Sequence, residues 1–359
     1  MYNKILWGQK HSASSAIWSH FVSHILIAGF ALACLLFATA CPAGANGKNT
    51  PIVVPTIPTQ KIQQSDISTL DLSEITDAYK IELAGTWNES DATNTLTALS
   101  TKIRAAGEGA KIELDMSSLS GLTKLENKPF KAVKKLSSLT LAEGVTKINA
   151  YEFDDCANLE KLYIPKSVEI IDSSNSVFGR CKKLSIIVHK ENRIFSTDAK
   201  GVLYEAEHAS SENRTYYLRW VPEKLMGTYE ISSSTKRINE YALCYSNLTK
   251  LVIPSSVNHI EGHNFHYVKI PLTIETNWSA GEVASLIFEG SNMTGEAGMD
   301  WTKQFYFNGV DCNEITVSVA KGTKAAYESP NKAAWLWQIA KEYPESSGDI
   351  TTPKLVERE

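Results

Sequence analysis

Two adjacent stretches of this chain say nearly the same thing. Residues 123–145, TKLENKPFKAVKKLSSLTLAEGV, and residues 146–168, TKINAYEFDDCANLEKLYIPKSV, place apolar side chains at matching offsets. Aligned on itself, the chain yields columns: Leu125, Ile148 and Ile171; Phe130, Phe153 and Phe178; Leu136, Leu159 and Leu184; Val145 and Val168. The third unit carries two extra residues around Ser173 to Asn175, a later copy runs from Lys236 to Val257, and a degenerate copy begins at Asn258. One such unit buries about six or seven apolar side chains at roughly 1.5 to 3 kcal/mol each, while ordering its residues costs roughly 1.5 kcal/mol apiece. A lone unit therefore cannot fold, and each copy must supply the wall that the previous copy needs.

A period of this length with an L-x-x-L-x-I core is the leucine-rich-repeat signature. The segments SLTLA, KLYIP and KLVIP then read as short strands, expected to pair at about 4.8 Å into one parallel sheet. Between the buried positions, alternate side chains face outward in rows. Ser138 and Thr140, Lys161 and Tyr163, and Lys250 and Val252 are the candidate binding residues on that face, with Tyr163 beside Lys161 the pair best suited to a protein interface.

The stretch FDDCANLEKLYIPKSVEII, with its aromatic, its Cys, its NL and its IP-x-S-V-x-x-I ending, resembles the BspA-like leucine-rich-repeat family of bacterial surface proteins. The segment NRIFSTDAKGVLYEAEHASSENRTYYLRWVPEKLMGTYEI resembles the interruption that this family places in its solenoid. ITVSVAKGTKAAYESPNKAAWLWQI resembles its C-terminal unit, with Ala320 where the family usually has Pro. The likeness spans about Leu122 to Ile339. It implies an adhesive or protein-binding role, with host matrix proteins or other bacterial surface proteins as the partner class.

The reading of the whole chain is an α/β solenoid. Residues 1–40 are an expected signal peptide, 41–66 a tether rich in Pro, Gly, Asn, Thr and Gln, and 67–121 a strand, helix and strand forming an N-terminal α/β cap. In that helix Ser90 or Asp91 is the expected N-cap and Gly107 the expected end. Residues 122–343 are the repeat domain, with a β-hairpin-like insertion near 190–235 and a C-terminal helical cap containing Trp335, Trp337 and Ile339. Residues 344–359 are expected to fray.

The apolar run ending at Cys41 is about sixteen residues, shorter than the roughly 20 that cross a bilayer, and reads as an export signal. Two cleavage readings stand. Ala38 and Ala40 fit an A-x-A site, and ATAC resembles a bacterial lipobox with Cys41 acylated, although the usual Leu three places before the cysteine is missing. A lipid anchor at Cys41 or plain secretion follows, giving a protein of the cell envelope, the outer surface or the medium.

Cys156 and Cys181 hold equivalent places in successive repeats, which points to buried free thiols rather than a bridge. His259, His263 and His266 invite a metal reading, but Ile260 and Phe265 between them take buried columns, so the histidines are expected on the outer face and no metal is assigned. The sequons at Asn88, Asn213, Asn247, Asn277 and Asn292 read as chance; Asn247 falls at the NL position, where an amide serves the coil's own backbone. A formal charge of -4 offers no basic field for nucleic acid. No P-loop, G-x-S-x-G, H-E-x-x-H or dinucleotide turn occurs, so neither catalytic residue nor cofactor is expected. A structural module inside the envelope and, remotely, a metal-dependent hydrolase are the alternatives to a binding protein.

Overall fold

The computed structural model describes residues 57–172, 176–207, 214–289, 314–327 and 354–359. The expected export segment, Cys41, the tether up to residue 56, Ser173–Asn175, Cys312 and the helix around Trp335 lie outside the described residues.

Each repeat contributes one strand to a parallel sheet and a second short strand to another. Strands β1 (Thr59–Ile62), β2 (Ala78–Thr86), β3 (Lys111–Ser120), β4 (Leu136–Thr140), β6 (Lys161–Ile164) and β8 (Ser185–Val188) form a six-stranded sheet in that order, every pair parallel. Leu139, Leu162 and Ile186 stand in register across it and are buried, as the repeat columns require. The second strands of these coils, β5 (Lys147–Ile148) and β7 (Ile170–Ile171), pair with each other.

The single continuous sheet expected from sequence is instead split at the insertion. After it, β12 (Met226–Glu230), β14 (Asn247–Ile253), β16 (Leu272–Thr276), β18 (Ile315–Val319) and β19 (Lys354–Glu357) form a separate five-stranded parallel sheet. The insertion is larger than a hairpin. Strands β9 (Phe195–Thr197), β10 (Leu203–Ala206) and β11 (Tyr216–Trp220) are antiparallel neighbours, and β11 continues in parallel into β13 (Thr235–Ile238), β15 (His259–Glu261) and β17 (Ile287–Glu289). Strand β10 is buried on both faces: Leu203 packs with the repeats before the insertion and Tyr204 with those after it.

Three boundaries differ from the sequence reading. Thr59–Ile62, assigned to the tether, pairs with β2 and forms the sheet's outer strand. Lys354–Glu357, assigned to a frayed tail, pairs with β18, and Arg358 donates to Thr276 O at 2.8 Å. Helix α1 (Glu89–Arg104) is capped by Asn88, whose side chain accepts from Ser90 N, so the cap lies two residues earlier than Ser90. Helix α1 buries Ala92, Leu96, Leu99 and Ile103 at helical spacing.

The aromatic column is a stacked ladder. Phe130 and Phe153 have ring centroids 6.1 Å apart, Phe153 and Phe178 6.0 Å apart, both pairs near parallel. Trp220, returning from the insertion, packs 5.3 Å from Phe178. Beside the rings, the Cys156 thiol donates to Phe130 O at 2.9 Å and the Cys181 thiol to Phe153 O at 3.0 Å. Both, like Cys244, are free and buried. The NL amides act as expected: Asn158 Nδ2 donates to Lys134 O at 3.0 Å, and Asn247 Nδ2 to Glu223 O.

Glu152, fully buried, occupies the place that Asn264 fills three repeats later. Glu152 Oε1 accepts from Phe130 N, and Asn264 Oδ1 from Leu243 N. Burial pushes the Glu152 carboxyl up to about 8, against the lowering influence of the Phe130 N–H and of Lys128. Between its ordinary value near 4.5 and about 8, the folded chain therefore holds a proton that the unfolded chain releases. The stability this proton confers is complete below pH 4.5 and is lost as pH rises to about 8.

Two outcomes follow. Phe153→Ala removes a ring stacked on both sides and should cost about 3–5 kcal/mol in urea unfolding. The wild type should lose up to about 1.4 kcal/mol per pH unit between pH 6.5 and 8, above the range in which buried His266 acts with the opposite sign, and Glu152→Gln should flatten that slope when the same unfolding series is run across pH.

Candidate binding surface

The open face of the six-stranded sheet carries two rows of side chains in register. One runs Thr59, Lys80, Glu113, Ser138, Lys161, Ser185; the other runs Lys61, Glu82, Asp115, Thr140, Tyr163, Ile187. Four of the residues nominated from sequence are thus brought together: Ser138 pairs with Lys161 and Thr140 with Tyr163 across adjacent strands. Lys161 is exposed, and Ser138, Thr140 and Tyr163 are half-buried. At the start of the rows Lys80 bridges Glu82 at 2.7 Å and Asp115 at 3.1 Å. The hydrogen bond to Glu82 holds the Lys80 ammonium above its usual range. Partial burial works to raise the Asp115 carboxyl, yet bonds from Ser117 and Lys80 hold it below. The charges at this end neutralise each other, and Lys161, Tyr163 and Ile187 are left as the end with free surface chemistry.

Lys250 and Val252 lie apart from the other four, on the second sheet. Lys250 is half-buried and forms an ion pair with Glu275 at 2.7 Å. Val252 is buried, which overturns its assignment to the contact face. Its flanking partners in the sheet are Glu230 and Glu275, both longer than Val. Glu275 is held over β14 by Lys250 and is also met by Arg358.

A second surface was not foreseen. The loop leading into and out of the aromatic column places a residue in the left-handed region on each side in most coils, and on the far side alone, at Arg180, in the coil of Phe178. Lys128, Tyr151, Tyr241 and His263 form one such column; Ala132, Asp155, Arg180, Tyr245 and Tyr267 form the other. Left-handed backbone costs a bulky residue roughly 1–2 kcal/mol, and Gly or Asn are the inexpensive choices. Four of these positions nevertheless carry Tyr. The side chains stack along the columns: Tyr245 on Tyr267 with centroids 5.0 Å apart, Tyr241 on His263 at 4.9 Å, and the Arg180 guanidinium 5.8 Å from the Tyr245 ring. Arg180 also binds Asp154 at 2.7 Å, and Lys131 sits 4.8 Å from the Tyr151 ring. Tyr267 is exposed and the other three tyrosines are half-buried. Tyr and Arg with exposed faces are the residue types that dominate binding energy at protein interfaces. Sequence periodicity gave only the spacing of these positions, since Tyr gives no left-handed signal.

The histidines divide. His263 faces Glu240 at 2.7 Å, while His266 is buried, against the expectation that all three lie on the outer face. Burial, with His263 nearby, pushes the His266 imidazole down to about 3. Among the described residues no group of three His, Cys, Asp or Glu is placed to hold a metal ion.

Coils of about 23 residues, each giving a strand to a parallel sheet and a ring to an aromatic ladder, define a leucine-rich-repeat solenoid. The BspA type leucine rich repeat model matches the chain in six copies, over residues 111–199 and 225–294. No curated protein matches the chain. Three solved structures are similar to it. A leucine-rich repeat protein from Eubacterium ventriosum ATCC 27560 is 18% identical with a TM-score of 0.38, over 68% of this chain and 60% of that one. This chain thus spans less than two thirds of the length of that relative. A leucine rich cell surface protein from Faecalibacterium prausnitzii A2-165 is 13% identical with a TM-score of 0.35, over 82% and 84%. The pneumococcal vaccine antigen PcpA is 16% identical with a TM-score of 0.38, over 88% and 82%.

Strain and stacking at the tyrosine columns nearly offset each other. Tyr245→Asn should therefore change stability by no more than about 1 kcal/mol in urea unfolding, in contrast to any substitution in the phenylalanine column.

Proposed function

We propose that this is an exported binding protein of the bacterial cell envelope, lipid-anchored at Cys41, whose repeats hold a protein partner. Host matrix proteins and other bacterial surface proteins are the partner classes implied by the BspA resemblance. The observation that carries the reading is the pair of in-register rows on the first sheet, which end in Lys161, Tyr163 and Ile187. A partner laid on that face meets a charged tip, an aromatic body and an aliphatic side chain within adjacent strands, the mixture that interfaces favour. The tyrosine columns offer a second strip of the same character. Both are open surfaces suited to contact rather than to enclosing a reacting group, so no catalytic role is assigned and no cofactor is invoked.

Two measurements test this. Protease shaving of intact cells should release the repeat domain, and globomycin-sensitive labelling with a radioactive fatty acid should vanish in Cys41→Ser. Protection of the domain in intact cells would instead support a structural module inside the envelope. Against a partner captured from the cell surface, Lys161→Ala with Tyr163→Ala should weaken binding by about 2 kcal/mol or more while the unfolding midpoint is retained.

A further inference from the structure

The split between the two sheets leaves two strand edges, and their chemistry is specific. Strand β8 pairs with β6 on one side only, and β12 with β14 on one side only. On β8, Ser185 and His189 donate to Glu160 O and Ile164 O, each at 2.9 Å, on the β6 side. By strand alternation, Ile186 and Val188 direct their N–H and C=O groups to the other side. On β12, Ile231 donates to Val252 O at 3.0 Å, so Thr228 and Glu230 face away from β14. Among the described residues no strand pairs with either outer edge.

Lysine heads stand where a strand is missing. Lys224 Nζ donates to Lys183 O at 3.4 Å and to Ser185 Oγ, beside β8. Lys200 Nζ donates to the outward Thr228 O at 3.1 Å and lies 5.4 Å from the Tyr229 ring centroid. Lys183, by contrast, turns back to the preceding coil, its Nζ donating to Asn158 Oδ1 at 2.9 Å. All three ammoniums are bound to neutral acceptors, and among the described residues none is in an ion pair with a carboxylate. Lysines commonly guard exposed sheet edges against pairing. A guarded edge, however, does not display apolar side chains, and here Ile187 on β8 is 39% exposed and Met226 on β12 is 65% exposed. The edge thus combines unpaired backbone, apolar side chains and ammoniums lacking a carboxylate.

We infer that the edge of β8 at the split is a strand-addition site for an extended acidic peptide of a partner protein. The peptide backbone pairs with Ile186 and Val188. Its apolar residues extend the inward-facing column of Ile186, and the alternate carboxylates, on the face of Ser185 and Ile187, take Lys224 and Lys200 from their neutral acceptors. The site is an edge and not a face: it adjoins the rows at Ser185 and Ile187 but rests on backbone groups of β8 that those rows do not use.

The test uses the full-length chain and three ten-residue fluorescent peptides: alternating Glu and Val, alternating Lys and Val, and the acidic sequence with alternate amides N-methylated. The acidic peptide should bind at least about tenfold more tightly than either of the others. It should slow hydrogen exchange at the Ile186 and Val188 amides, and Lys200→Glu with Lys224→Glu should abolish that protection. Lys161→Ala with Tyr163→Ala should leave it intact. Failure to bind, equal affinity for the N-methylated peptide, or binding without protection at Ile186 and Val188 would each overturn the assignment.

Discussion

Everything in this fold depends on contact between one coil and the next. No coil has an interior of its own. The Phe130, Phe153 and Phe178 rings are each other's environment, and backbone bonds such as Phe153 N to Val177 O and Asp155 N to Gly179 O fasten coil to coil beside them. Stacked rings add about 0.5–1.5 kcal/mol per pair beyond the area they bury. Polar groups follow the same rule: the Asn158 amide, the Cys156 thiol and the Glu152 carboxyl all reach back to backbone groups of the preceding coil. Stability is then a sum of neighbour terms, and local damage is felt by two coils rather than by one.

That dependence explains what was legible in the sequence. Columns that face another copy must repeat, so the Phe, Leu and Val positions could be read from spacing and stand buried where expected. The pairing of Ser138 with Lys161 and of Thr140 with Tyr163 was legible for the same reason. Trp220 was not, because it joins the aromatic ladder from an insertion whose length destroys the period. Strand β19 was not, because four residues, KLVE, gain their strand character only from the waiting edge of β18. Val252 was placed by the alternation rule, yet it is buried in register between Glu230 and Glu275, and alternation carries no measure of burial.

The tyrosine columns were hidden for another reason. Backbone handedness at Tyr151, Tyr241, Tyr245 and Tyr267 is imposed by the turn that every coil must make, whatever residue stands there. A local reading assigns such positions to Gly or Asn. At Tyr241 and Tyr245 the departure is compensated by stacking onto the equivalent residue of the next coil, and at Tyr151 by the ammoniums of Lys128 and Lys131, contacts visible only when the coils are assembled.

The thiols carry a last consequence. Burial pushes Cys156 and Cys244 up to about 12 and Cys181 upward as well, so at these three described thiols the nucleophilic sulfur anion is essentially missing. Exchange with any oxidant then has to wait for a coil to open. Reduced sulfur at these three positions is kept so by mechanical enclosure rather than by its chemical surroundings, and its slow oxidation becomes a clock for how often neighbouring coils part.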